Sequence, residues 1–154
     1  MNTTTCVDTS FVLKLVLWEE DSPVARATWD SWIARDVRVI APCHLVFEGT
    51  SVIRNRIHRG QISAPAGEEA FRAFLAQDIE LVHPSGYEER AWELAQRFSR
   101  PTAYDAFYLA VAEAADCELS TADGRLYRAV RDSLPWVTPT LSQISSREGT
   151  ISRS

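Results

Sequence analysis

With 154 residues, 45% of them hydrophobic and 24% charged, the chain has room for one domain with a substantial core and the make-up of an ordinary globular protein. No apolar run is long enough to span a bilayer, which excludes a helical membrane span. A net charge of −5 and a pI of about 5.2 exclude a uniformly basic nucleic-acid binder. They leave room for a binder whose acids gather around metal ions and whose bases form a separate patch. Cys6, Cys43 and Cys117 are odd in number, far apart and without a C-x-x-C pair. They read as buried, reduced thiols rather than a disulfide framework or a zinc site. Residues 1–5 lack the basic start and cleavage site of a secretion signal, so a cytoplasmic location is expected.

In chain order, residues 3–8 are β-prone and end at an acid, Asp8. Residues 10–20 follow with Phe11, Val12, Leu15, Val16 and Trp18 apolar, and length favours a helix. Asp8 stands between the two, either as the N-cap of that helix or as a functional acid. Ser22-Pro23 predicts the next helix start, with Ser as cap and Pro in the first helical position, running through Trp29 and Trp32 to about residue 35. Residues 37–41 form an apolar strand broken only by Arg38. Pro42 ends it and opens a helix over 43–59, stopped by Gly60. Leu45, Val46, Val52, Ile53 and Ile57 supply its buried stripe, and Glu48 falls among them. An acid beside a buried face needs a partner or a metal. His44, four residues earlier, shares its side and is an indirect partner at most. The helix ends in Arg54, Arg56, His58 and Arg59, a basic stretch that complements the helix dipole. For a polyanionic substrate, Arg54, Arg56 and Arg59 are where phosphate contacts are expected.

Residues 65–77 predict a helix with Phe71, Phe74 and Leu75 inward, and 79–82 a short strand. Ser85 is placed to cap a helix over 86–100 carrying Trp92, Leu94, Ala95 and Phe98. Pro101 stops it, and Thr102 reads as the cap of a helix over 102–113 with Ala106, Leu109, Ala110 and Val111 on a broad apolar surface. Asp105 lies three residues after Thr102, a capping-box spacing with Asp in place of Glu. Residues 117–121 form a strand leading into Ala122-Asp123-Gly124, where Asp123 is a turn or cap residue or a functional acid. A helix through Leu126, Tyr127 and Val130 follows, then an edge strand over 135–138. Residues 140–154 are polar and read as a loose tail behind a domain over 1–139.

Strands alternating with helices imply an α/β sandwich with a largely parallel sheet. Ligands of such sheets bind beyond the carboxyl ends of the strands. Asp8 and Asp123 each follow a strand, Asp105 opens a helix and Glu48 sits early on another. Four acids from distant parts of the chain are thus expected to converge at one edge.

Val7-Asp8-Thr9-Ser10, the Glu48 helix, Tyr104-Asp105-Ala106-Phe107-Tyr108-Leu109-Ala110 and Ser120-Thr121-Ala122-Asp123 resemble the four acidic blocks of PIN domains, in order and spacing, over roughly residues 4–138. The single-domain size is most similar to the VapC toxins of toxin–antitoxin pairs. The resemblance implies a three-layer α/β/α sandwich and a metal-dependent endoribonuclease that leaves a 5′-phosphate and a 3′-hydroxyl. It implies that Asp8, Glu48, Asp105 and Asp123 hold one or two Mg²⁺ or Mn²⁺ ions, directly or through water. Thr9 and Thr121 would orient a water or a carboxylate. Carboxylates are hard oxygen ligands suited to those ions, and clustered acids repel one another without a cation. A toxin of this kind implies an RNA substrate, a cognate antitoxin that reaches the acids with a basic side chain, and a homodimer. Leu17, Trp18, Trp29 and Trp32 are candidates for the antitoxin groove or the dimer face, or else ordinary core.

Other readings fit less well. A phosphatase of the HAD type needs a second Asp where Ser10 stands. A response-regulator receiver needs a Lys near its end, and the only Lys here is Lys14, in the first helix. A PIN-fold nuclease of RNA processing remains an alternative. So does a non-catalytic binding module on the same fold, which need not keep all four acids.

Overall fold

The computed structural model describes residues 3–140. In chain order the elements are β1 (Thr4–Val7), α1 (Thr9–Val16), α2 (Ser22–Ala34), β2 (Arg38–Pro42), α3 (His44–His58), α4 (Ala64–Leu75), β3 (Glu80–Val82), α5 (Tyr87–Arg97), α6 (Tyr104–Ala114), β4 (Glu118–Thr121), α7 (Gly124–Val130) and β5 (Val137–Pro139). The strands join in the order β3-β2-β1-β4-β5, and every pairing is parallel. Cys6 of β1 stands opposite Ile40 on one side and Leu119 on the other, so the middle of the sheet is a row of fully buried apolar side chains. Successive buried residues in β1, β2 and β4 show that both faces are covered, which is why these strands lack a polar alternation. Right-handed crossovers place the helices before β3 on one face and those after it on the other. Accordingly α1 packs with α2, α3 and α4, while α5 pairs with α6 and α6 lies along β1, β2 and β4. This is the three-layer α/β/α sandwich expected.

Outward from β1 the chain runs through β2 and β3 on one side and β4 and β5 on the other. The carboxyl ends of β1 and β4 therefore flank the point where strand order reverses, the place where open α/β sheets bind ligands. α6 supports that point from below. Its alanines, Ala106, Ala110 and Ala112, are buried and let it approach the sheet closely, with Leu109 and Val111 filling the space between. α3 reaches α4 just as closely. A methyl on Gly49 would meet the Phe74 ring 2.2 Å away, so the residue after Glu48 has to be glycine. Gly60, at φ +69°, ends α3 as expected.

Several local expectations are corrected. Ser22 does not cap α2. It is buried, donates to the carbonyl of Leu17 and accepts from the Glu19 N–H, so it closes the turn between α1 and α2, and Asp21 takes the cap position. Gly86, at φ +77°, precedes α5 in place of Ser85. Ala103, not Thr102, stands at the cap of α6, and no side chain caps it, so the capping-box reading of Asp105 falls away. Leu17, Trp29 and Trp32 are core, whereas Trp18, Trp92 and Leu75 are exposed. Cys6 is buried, Cys117 half-buried and Cys43 exposed at the head of α3. Thr140, read as the first tail residue, is buried with its N–H 2.9 Å from the carbonyl of Thr121; the rest of that tail lies outside the described residues. Among the described residues, no helix is long and apolar enough to cross a membrane.

Candidate active site

Asp8 follows the last residue of β1 and enters α1 as its N-cap. Its Oδ1 accepts from the Phe11 N–H at 3.0 Å and from the Ser10 hydroxyl at 2.6 Å. Its Oδ2 accepts from Thr121 Oγ1, at the end of β4. The capping and functional readings of Asp8 therefore do not compete: the cap is what aims the carboxylate across the gap between the two strands. Burial pushes its pKa from the usual 3.8 to about 6, against hydrogen bonds from Ser10, Thr121 and Phe11 that favour the charged form; the charge of Asp123 adds to the rise.

Thr121 joins two acids. Its hydroxyl donates to Asp8 and accepts from the Asp123 N–H at 2.9 Å. Ser10 ties the same strand end, accepting from the Ala122 N–H at 2.9 Å. Asp123 caps α7 through Oδ1, which accepts from the N–H groups of Arg125 and Leu126 at 3.0 and 3.2 Å. Among the described residues its Oδ2 is not engaged.

Glu48, on the second turn of α3, is fixed through one oxygen. Oε1 accepts from Tyr108 of α6 at 2.8 Å and from His44 Nε2 at 3.1 Å. The phenol has a single proton and gives it to Glu48, so the 2.6 Å contact between Thr9 and Tyr108 is a bond donated by Thr9. Thr9 thus acts on Glu48 chiefly through Tyr108; its own contact with Oε1 is 3.5 Å. His44 Nε2 faces both Glu48 and the carbonyl of Tyr104 at 3.1 Å, two acceptors, so this nitrogen carries the proton. Burial raises the pKa of Glu48, but the hydrogen bonds from His44 and Tyr108 outweigh it and the net shift is downward. Burial and the neighbouring Glu48 charge push the Tyr108 phenol up, so it stays a donor.

Asp105, in the first turn of α6, pairs through Oδ2 with Nη2 of Arg100 at 3.0 Å. Burial raises its pKa, Arg100 opposes the rise, and the charges of Asp123 and Glu48 add to it. The charge of Asp123 thus reaches both Asp8 and Asp105, and that of Glu48 reaches Asp105. As they lie, among the described residues no group of three or more acidic, His or Cys side chains forms a ready metal cage. The reason is visible in the bonds: Asp8 and Asp123 turn to helix N–H groups and hydroxyls, and Asp105 turns to Arg100.

The basic patch lies elsewhere. Arg54 and Arg59 follow Glu48 along α3 by about 9 and 16 Å of helix rise. Arg56 is tied to Glu19 at 2.7 Å. Arg54 lines a shallow hollow with Thr50, Asn55 and His58.

Sequence reasoning did not single out Ser10, Tyr108 or Arg100. Tyr108 carried a signal, since a buried Tyr needs a partner for its hydroxyl. Ser10 and Arg100 carried none: Ser10 bonds the end of β4 as well as nearby Asp8, and Arg100 reaches Asp105 across a turn whose path the sequence does not specify.

With this geometry in hand, comparisons place the chain. The PIN domain family model matches residues 5–132. The chain is 38% identical over 84 residues to the VapC ribonuclease Mb0985 of Mycobacterium bovis and to ribonuclease VapC9 of Mycobacterium tuberculosis. That match spans 54% of this chain and 64% of those relatives, just under two thirds of their length. Among solved structures, PAE2754 from Pyrobaculum aerophilum superposes with a TM-score of 0.65 at 18% identity, covering 97% of this chain and 99% of that one. VapC20 of Mycobacterium tuberculosis, a toxin that cleaves the sarcin–ricin loop, superposes with a TM-score of 0.62 at 22% identity, covering 81% and 94%. The sheet order, the acids at its reversal point and the extent of the family match agree: the chain belongs to the PIN domain family.

Proposed function

We propose that this protein is a divalent-metal-dependent endoribonuclease and the toxin of a type II toxin–antitoxin pair, acting in the cytoplasm on RNA. The observation that carries the reading is the set of acids gathered at the strand-order reversal, two of them with raised pKa values. Asp8 is held near pKa 6, and Asp105 is raised by burial and by Asp123 and Glu48, with only Arg100 against it. A site built from carboxylate oxygens under mutual repulsion fits a hard cation such as Mg²⁺ or Mn²⁺. Asp8, Asp105 and Asp123 would hold it, with Glu48 joining directly or through water. Such an ion supplies a low-pKa water and charge neutralisation at the phosphodiester.

The chain's own residues do the rest. Ser10 and Thr121 fix the Asp8 carboxylate, and Thr121 sets the backbone from which Asp123 projects. Tyr108 and His44 clamp Oε1 of Glu48 and keep the group ionised, with Oε2 not hydrogen-bonded among the described residues. Arg100 occupies Oδ2 of Asp105 and leaves Oδ1 as the oxygen through which Asp105 would act as a ligand. Similarity to VapC ribonucleases supports the toxin role, and with it an antitoxin partner; that the protein is a homodimer is part of the same proposal.

The test is cleavage of single-stranded RNA with Mn²⁺, with Mg²⁺ and with chelator, beside Asp105→Asn. Expected is metal-dependent cleavage that falls about a hundredfold or more in a variant that still folds. Failure of the wild-type protein to bind Mn²⁺ in calorimetry would overturn the reading in favour of a binding module.

A further inference from the structure

We propose that the shoulder formed by α5, residues 98–103 and the start of α6 is a nucleotide subsite for single-stranded RNA. Trp92 is its stacking platform and Arg100 its phosphate contact. The proposal rests on the nuclease reading and deepens it by saying where the substrate lies.

α5 buries Tyr87, Ala91, Leu94 and Ala95 against α6 and turns Trp92 outward, 72% exposed. A single exposed aromatic is ordinary on a protein surface. This one is not isolated: it walls a cavity of about 360 Å³ with Gln96, Arg100 and Thr102. The same Arg100 reaches Asp105 with Nη2 at 3.0 Å. Arg100 therefore links the lining of the cavity to Asp105.

The turn that presents Arg100 is firmly built. Ser99 is held at φ +51°, a conformation uncommon for a residue with a side chain, and the Arg100 N–H bonds the carbonyl of Ala95 at 2.8 Å. The guanidinium is not fully used: its Nε is buried and has no hydrogen-bond partner among the described residues. A buried N–H left unpaired is costly, so the pairing with Asp105 is one from which the group can be drawn away. A phosphate offers Arg the bidentate partner that one oxygen of Asp105 does not. A flat indole face, a cation beside it and amide and hydroxyl groups at the rim suit an unstacked base with its phosphate. Duplex RNA keeps its bases stacked on each other and has none to offer Trp92.

The test is fluorescence anisotropy with a short, 5′-fluorescein-labelled single-stranded RNA in Mg²⁺, in the cleavage-deficient Asp8→Asn background. Trp92→Ala is expected to weaken binding about fivefold or more, and Trp92→Phe to restore most of it. Arg100→Gln is expected to weaken binding and lower the salt slope by about one, while Trp92→Ala leaves the slope unchanged. A duplex of the same sequence should be insensitive to Trp92. Mn²⁺ binding, followed by calorimetry in the wild-type background, should be the same with and without Trp92→Ala. If Trp92→Ala binds RNA within about twofold of its parent, the subsite is wrong and the nuclease reading stands. If wild-type protein binds neither RNA nor Mn²⁺, the nuclease reading falls and the subsite with it.

Discussion

Two clusters of partly buried charge are built here by opposite rules. Where α1, α2 and α3 meet, Lys14 pairs with Glu19 and lies 3.6 Å from Asp21, and Arg56 pairs with Glu19 at 2.7 Å. Two acids meet two bases, and the pKa of Glu19 goes down: burial would raise it, but Lys14 and Arg56 more than offset this. At the carboxyl edge of the sheet, among the described residues, Asp105 pairs with Arg100 and Glu48 with His44 while Asp8 and Asp123 pair with no base; the pKa values of Asp8 and Asp105 go up and that of Glu48 goes down. The first cluster is complete without a ligand and serves the fold. The second leaves buried acids with fewer cations to match them, and the proposed function rests on it. Burial of acids is common to both, so burial alone does not mark a site; uncompensated burial does.

If that contrast is right, the largest stability effect belongs to the balanced cluster. Lys14→Met should cost about 3 kcal/mol, since it removes one of the two cations that hold Glu19 in a partly buried place. It should leave cleavage per folded molecule unchanged. Denaturant unfolding and an active-fraction assay check both parts.

The unbalanced cluster should show a pH signature of the opposite sign. A carboxyl whose pKa is higher in the folded state than in the unfolded one is bound to its proton more tightly when folded. Its ionisation therefore removes stability as pH rises. For Asp8 this loss falls between about pH 4 and 6 and amounts to roughly 3 kcal/mol in metal-free protein. Asp8→Asn should flatten that part of the profile, and the wild type should regain the lost stability on adding Mn²⁺. Thermal melts in chelator from pH 4 to 7 read this out. The opposite contribution of Glu48, lost as pH falls through its lowered pKa, is common to both proteins and cancels.

The smallest effect separates two arginines that the sequence treats alike. Arg56 is held by Glu19, so Arg56→Ala should lower stability and barely change the salt dependence of RNA binding. Arg54→Ala should leave stability alone and reduce the salt slope by about one. Equal behaviour of the two would remove the distinction between structural and free cations on α3.

The order of elements was readable because the strands are short β-prone segments and the helices between them carry clear breaks. Gly60, Pro42 and Asp-Gly at 123–124 are local signals with local causes. The positions of Asp8 and Asp123 were readable for the same reason: a residue just past a parallel strand stands at the carboxyl edge whatever the remaining packing. Helix starts were read less well. Thr102, Ser22 and Ser85 have the right chemistry for caps, but the chain path between elements decided otherwise, and Ser22 found partners at Leu17 and Glu19 instead.

By itself, then, the sequence determined the alternation that yields a parallel sheet, its buried strands and the placement of acids at strand ends. These follow from periodicity and from residue types whose preferences act over a few neighbours. Only the tertiary structure decided which charges meet. It set Tyr108 against Glu48 and Thr121 against Asp8, and it left Trp92 outside the core while Trp29 and Trp32 went in. The physical reason is range: hydrogen bonds and ion pairs act over a few ångströms. Whether two residues far apart in the chain come that close depends on the packing of every element between them.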